Sequence, residues 1–278
     1  MRIIYKNEMG SITICGGGEG DWRMISVHGL GLAPKAYTAV RYAGTDGCET
    51  IGETVNPRTV TVSGDVRNTA VRRRELSRAA RVFNRRGVLT VINGAVRRRI
   101  HCHVTRFEAE DRNAAAVPFI LQFSADDPAF FDVEASIVPV FRREDLIVSP
   151  FTLPKMFSRC TTAADVINLG DLQCEPALYI YGSAANGGAS GGSIAVTNGA
   201  TAQEIVLNTG VLPGETILID IPKRRITSDM RGDLMGYLCG SSYLADFWLE
   251  PGVNRITAQS SDADTVMVCE FTGRYIAI

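Results

Sequence analysis

The sequence is poorest in the side chains that do chemistry. Its 278 residues include three histidines, His28, His101 and His103, and two tryptophans. Seven cysteines (Cys15, Cys48, Cys102, Cys160, Cys174, Cys239 and Cys269) are odd in number, scattered, and form no Cys-x-x-Cys pair. They are read as reduced, mostly buried thiols rather than as a disulfide scaffold or zinc framework. No run approaches 18 consecutive apolar residues, and Met1–Glu8 lacks the apolar stretch of a signal peptide. A soluble chain made in the cytoplasm is therefore expected. Neither charge sign prevails: 29 basic against 30 acidic residues give a net charge of -1, which excludes a globally basic nucleic-acid binder and a polyacidic tail. With 45% apolar residues, 27 glycines and 11 prolines spread along it, the chain is neither disordered nor collagen-like. One large or two modest domains, able to bury roughly three quarters of the unfolded surface, fit this length without a metal or disulfide staple.

The usual catalytic constellations are missing too. Gly16-Gly17-Gly18 and the stretch Gly182–Gly192 open no helix after a buried strand and lack the Gly-Lys-Ser/Thr ending of a phosphate cradle, so both are read as loops. His28 has no Ser or Cys in a nucleophile-elbow context near it. Asp126-Asp127 and Asp262 with Asp264 are carboxylates close in sequence, which does not set the separation that glycoside hydrolysis needs. His101-Cys102-His103 is the only metal-capable cluster; a strand puts both histidines on one face and the thiol on the other. Two ligands do not make a site without a third from another strand or subunit. No catalytic residue, cofactor or metal ligand is assigned, and the chain is expected not to be an enzyme.

What is present is β structure. Asn93-Gly94, Asn186-Gly187 and Asn198-Gly199 are hairpin signals, and the segments between turns are short and β-branched or alternating. The first half suggests strands at 59–62, 88–92, 100–104 and 119–123, with a hairpin about Asn93-Gly94. One helix is expected over 69–86, ended by Gly87 as a left-handed cap, with Leu76, Ala79, Ala80 and Phe83 as its apolar face. Arg74, Arg78, Arg81 and Arg85 fall in a stripe on the opposite side. The pattern loosens from Phe130 to Pro154, where a domain boundary is placed, giving domains 1–140 and 141–278. The second half offers seven short strands at 177–181, 193–197, 204–207, 216–221, 246–249, 254–258 and 265–271, as in a sandwich or jelly roll.

Charge is distributed unevenly. Between positions 67 and 106, Arg67, Arg72, Arg73, Arg74, Arg78, Arg81, Arg85, Arg86, Arg97, Arg98, Arg99 and Arg106 meet only Glu75. The plain reading is a solvated helix face. Three cations at the helix start, where the macrodipole disfavours them, argue instead for an interface with an acidic neighbour, or with nucleic acid through its phosphates.

In their order along the chain, several segments resemble the distal tail proteins of long-tailed bacteriophages. They are Gly44-Thr-Asp-Gly47, Arg58–Val66, the arginine-rich helix, the hairpin opening at Gly87, Phe119–Pro128 with Phe130-Phe131, Ile167–Asp171 with Pro176, Ile219-Asp220 and Leu249–Ile256. The resemblance covers nearly the whole chain. It implies a mainly β fold: an N-terminal β-sandwich with one helix (1–140), closing a homo-hexameric ring, and a C-terminal galectin-like β-sandwich (141–278) facing outward. It further implies a structural tail-tip protein that joins the tail tube to the baseplate or host-recognition device. Its partners would be the tail tube protein, the tip or baseplate hub protein, the tape measure protein and receptor-binding proteins. Assembly would take place in the host cytoplasm, with no membrane partner and nucleic acid only in passage through the ring lumen. The arginine stripe (Arg74, Arg78, Arg81, Arg85) becomes the candidate assembly interface. The alternative reading is a non-enzymatic carbohydrate-binding module presenting Trp248 and Tyr243 to a saccharide.

Overall fold

The computed structural model describes residues 1–17, 20–67, 72–109, 116–145, 158–183, 192–262 and 264–278. Contacts divide the chain into two units, Met1–Val133 with Tyr275–Ile278, and Glu134–Arg274. A division after residue 140, as read from the sequence, would have cut a strand that begins at Ser136.

Unit 1 is built on strands β1 (Arg2–Asn7), β2 (Gly10–Gly16), β3 (Trp22–His28), β4 (Lys35–Val40), β5 (Glu49–Val55) and β6 (Arg58–Val66), followed by helix α1 (Arg72–Phe83). Strands β7 (Gly87–Asn93), β8 (Val96–Ala109), β9 (Val117–Ala125) and β10 (Phe130–Asp132) complete it. The strands run in the order β8-β7-β1-β2-β3-β6-β9, and β9 pairs back onto β8, so the layers of the sandwich are one sheet closed on itself. Alternation drives the closure: in β6 Val60, Val62 and Val66, and in β9 Val117, Phe119, Leu121 and Phe123, point inward from every second position. Gly64 sits where β6 meets the bulge of β3, and a Cβ there would lie 1.9 Å from the Arg23 carbonyl oxygen. Strands β1 to β3, absent from the sequence reading, supply Ile3, Tyr5, Ile12, Ile14 and Trp22 to this core.

Helix α1 stops earlier than expected. Its first expected turn, 69–71, lies outside the described residues, and it ends at Phe83. Gly87 does not cap it but opens β7, where a Cβ would come within 2.6 Å of the Lys6 carbonyl oxygen. The last-turn carbonyls are met by β1: Asn7 Nδ2 donates to Val82 O at 2.7 Å and the Tyr5 hydroxyl donates to Arg85 O. The buried face is Ala79, Val82 and Phe83 with Leu76 half-buried, whereas Ala80 faces solvent. Phe83 joins an aromatic cluster with Trp22, Phe107 and Phe119, with ring centroids 5.0 Å apart for Phe83–Phe107 and for Trp22–Phe119. The β7–β8 turn is Gly94-Ala95, one residue later than the Asn-Gly reading; Gly94, at φ +62°, holds the first turn position.

Unit 2 contains β11 (Ser136–Asp145), β12 (Ser158–Thr161), β13 (Ala163–Asn168), β14 (Ala177–Tyr181), β15 (Ile194–Asn198) and β16 (Gln203–Leu207). It continues with β17 (Thr216–Asp220), β18 (Arg225–Ser228), β19 (Gly232–Asp233), β20 (Gly252–Ser260) and β21 (Val266–Phe271). A last short strand, β22 (Arg274–Tyr275), leads the chain back to unit 1. Two sheets, β12-β11-β21-β14-β17-β18-β19 and β13-β20-β15-β16, enclose one core, so unit 2 is a β-sandwich. A bulge in β11 turns the consecutive Val140 and Phe141 both inward.

The segment 246–249, read as a strand, is irregular. Leu244–Asp246 form a short 3-10 turn, after which Phe247 and Leu249 are buried and Leu249 bridges Cys174. Three buried asparagines hold this segment in place. Asn168 Nδ2 donates to Leu172 O and Leu249 O, Asn198 Nδ2 to Trp248 O at 2.8 Å, and Asn254 Nδ2 to Glu250 O at 2.7 Å. Asn198-Gly199 begins a four-residue loop to Gln203, and Asn186-Gly187 lies outside the described residues. Nearby loops converge on Glu215, which is fully buried and pairs with Arg231 through both carboxylate oxygens at 2.6 and 2.9 Å. The Leu212 N–H and the Ser228 hydroxyl also donate to it.

Two measurements check this packing. Burial alone would raise the Glu215 pKa, but hydrogen bonds from Arg231, Leu212 and Ser228, with the Arg231 charge, hold it below the ordinary 4.5. The stabilisation is complete above 4.5 and is lost as pH falls through the lowered folded-state value, so acid unfolding of unit 2 should start below pH 4.5. Glu215→Gln should remove that acid sensitivity and cost about 3–5 kcal/mol at pH 7, because it strands the Arg231 charge; urea titration at both pH values reads this. In a thiol titration of the native protein, exposed Cys48 and Cys160 should react rapidly. Cys102, Cys174 and Cys269, buried and pushed up to about 12, should react only on unfolding.

Candidate assembly surface

The exposed face of α1 follows from its sequence, since spacings of four, three and four bring Arg74, Arg78, Arg81 and Arg85 to one side when the opposite side is buried. All four are exposed, but they are not equivalent. Arg74, Arg78 and Arg81 project from the helix; Arg85 lies in the turn beyond it. Arg78 is engaged within the chain, donating to Glu75 Oε2 at 3.4 Å and to the Ser11 carbonyl at 3.0 Å. Arg81 Nε reaches the Ser77 carbonyl one turn back at 3.4 Å. Beside the stripe, Arg86 and Asp126 form a well-exposed pair at 3.5 Å, a contact of about 0–1 kcal/mol.

The remaining arginines of the cluster have different roles. Arg106 makes a two-pronged pair with Glu108 on β8, at 2.8 and 2.7 Å. The Arg98 guanidinium lies 3.3 Å from the centroid of the Tyr275 ring. A further arginine, Arg58, is 1% exposed at the start of β6. It donates to the carbonyls of Pro128 (2.7 Å), Gly29 (2.9 Å), Gly31 and Ile276 (2.6 Å). The strand expected at 59–62 begins one residue after Arg58, which the sequence singles out only as the start of the segment Arg58–Val66; its place at an inward step of the β6 alternation was the available signal.

A second exposed element was legible only in part, as a strand following Gly44-Thr-Asp-Gly47. Strands β4 and β5 pair only with each other, and every residue but Val40 is exposed, including Tyr37, Ile51 and Val55. Its sequence signal was two alternating segments around Gly44-Thr-Asp-Gly47, with both glycines at positive φ. A two-stranded ribbon with both faces in water is marginal without a covering surface.

His101 is exposed and His103 half-buried; with Arg86, Gly87, Val88, Cys102, Asp126 and Asp127 they line a cleft of about 430 Å³. Cys102 points into the core, and burial pushes its thiol up to about 12. Among the described residues no group of three His, Cys, Asp or Glu side chains could hold a metal ion. In unit 2 the Trp248 ring is half-buried, its indole N–H fixed to Glu250 Oε1 at 2.6 Å, while Tyr243 is 64% exposed. The Gly182–Gly192 loop lies outside the described residues between 184 and 191.

A family model, the C-terminal domain of the siphovirus-type tail component, matches residues 183–275. The fold is similar to the crystal structure of the Dit protein of phage SPP1, described as a paradigm of hub adsorption apparatus in phages infecting Gram-positive bacteria. The TM-score is 0.65 at 17% identity, covering 90% of this chain and 92% of that one. Chains of the phage P2 baseplate in its activated conformation, with Ca and with Sr, are similar at TM-scores of 0.52 and 0.53 and identities of 9% and 10%, with 97% of each chain covered. No curated protein matches the sequence. The second half of this chain thus resembles the C-terminal domain of the siphovirus-type tail component, and the whole chain shares the fold of SPP1 Dit.

Proposed function

We propose that the protein is a distal tail protein that forms a homo-hexameric ring through unit 1 and joins the phage tail tube to the baseplate or host-recognition device. The observation that carries this reading is the likeness of fold to SPP1 Dit over 90% of the chain, with the tail-component match in its second half. Unit 1 supplies two surfaces suited to contact between copies, the arginine stripe and the uncovered β4–β5 ribbon. Unit 2, in the galectin-like role, presents a peripheral surface to baseplate or receptor-binding proteins, while the ring faces meet the tail tube, the tip or hub protein and the tape measure protein. The site of action is the virion tail tip, after assembly in the host cytoplasm, and no reaction is assigned to the chain. The tethered indole of Trp248 supports this adaptor role over saccharide stacking.

Light scattering at moderate salt, alone and with tail tube protein, should give a mass six times that of the chain, and negative-stain images a six-fold ring. A monomer under every condition would refute the ring. Replacing Arg74, Arg78, Arg81 and Arg85 together by Gln should raise the concentration for half-assembly by roughly 5- to 100-fold while leaving thermal unfolding unchanged, at 0–1 kcal/mol per exposed pair. Unchanged assembly and salt dependence in that variant would assign the stripe to solvent.

A further inference from the structure

Residues 275–278 follow unit 2 in the sequence but belong to unit 1, and each of them meets a dedicated partner there. The Tyr275 ring lies under the Arg98 guanidinium, 3.3 Å from the ring centroid, and its hydroxyl donates to Asp132 Oδ2 at 2.9 Å. The Ile276 carbonyl accepts from Arg58 Nη2 at 2.6 Å. The Ala277 carbonyl accepts from Arg98 Nη1, and the Ile278 N–H donates to the Leu30 carbonyl at 3.1 Å. These contacts read one aromatic side chain, two carbonyls and one N–H in order, the pattern by which an extended peptide is recognised.

We infer that unit 1 contains a peptide-docking site, built from Leu30, Arg58, Arg98 and Asp132, that recognises an extended aromatic-first tetrapeptide and is filled by the chain's own residues 275–278. Arg58 is the reason occupancy matters. Its guanidinium is buried over the Phe130 ring, 4.5 Å from guanidinium carbon to centroid, and among the described residues it has carbonyl partners and no carboxylate. Withdrawing Ile276 leaves a buried charged donor unmatched, which loosens the other carbonyls it gathers, at Gly29–Gly31 and Pro128. Tyr275 is itself buried, and Ile278 packs against the unit 1 core. Unit 1 is thus completed by residues made after unit 2. On the hub reading above, on which this consequence alone rests, a chain presents its finished ring-forming unit only once unit 2 has been synthesised.

The test is a chain ending at Arg274, probed with a synthetic acetylated peptide of the sequence of residues 275–278. The shortened chain should show the unit 1 unfolding midpoint lowered by roughly 5 °C or more and faster amide exchange at 29–31 and 128–132. Millimolar peptide should reverse both in a saturable way, and the same peptide with alanine in place of tyrosine should not. A midpoint and exchange pattern equal to those of the full chain, or a folded shortened chain indifferent to the peptide, overturns the site. Should the shortened chain fail to fold, full-length Tyr275→Ala and Arg58→Lys decide: accelerated exchange at 29–31 and 128–132 supports the site, and unchanged exchange there overturns it. These readouts concern unit 1 within a single chain, so they stand apart from whether six copies form a ring.

Discussion

A single buried cation organises the first unit. Among the described residues the Arg58 guanidinium is held without an opposite charge, against the Phe130 ring and by carbonyl dipoles brought to it from three stretches of chain, Gly29–Gly31, Pro128 and Ile276. Burial lowers its pKa, yet an arginine stays charged over the whole working range, so the charge cannot be shed and the carbonyls must converge. Such an arrangement turns three irregular segments into one ordered edge. A hydrophobic residue at that inward step of β6 would fill space there without directing the loops.

Unit 2 solves the same problem with neutral amides. Its sheets cover a core of alternating aliphatic residues, but the connection from Leu244 to Glu250 is irregular and still contributes Phe247 and Leu249 to the interior. Backbone groups drawn inward with them need partners. Asn168, Asn198 and Asn254, all buried, supply these from the neighbouring strands, and Glu215 with Arg231 does so for the loops before β17 and after β18. The two segments that carried much of the family resemblance in this half, Ile167–Asp171 and Leu249–Ile256, contain Asn168 and Asn254.

The surfaces divide by charge as the interiors divide by architecture. Unit 1 carries 19 basic and 14 acidic residues and unit 2 carries 10 and 16, so a near-neutral chain is made of oppositely charged parts. The excess in unit 1 is concentrated on α1, where buried Ala79, Val82 and Phe83 leave the arginines no direction but outward.

The sequence by itself determined the β architecture and the helix with its cationic face, because these depend on periodicity that every second or every third to fourth residue repeats. It also carried the resemblance to tail proteins, through the order of its turns and strands. Tertiary structure decided the rest. Whether Gly87 caps a helix or opens a strand was settled by Tyr5 and Asn7, some eighty residues away, which took the helix carbonyls instead. Whether 246–249 was a strand was settled by asparagines on other strands, and Arg58 gained its meaning only when chain from both ends met around it. Local patterns record which face a residue turns inward; they do not record what arrives from a distance to satisfy it, and buried polar groups are fixed by that arrival.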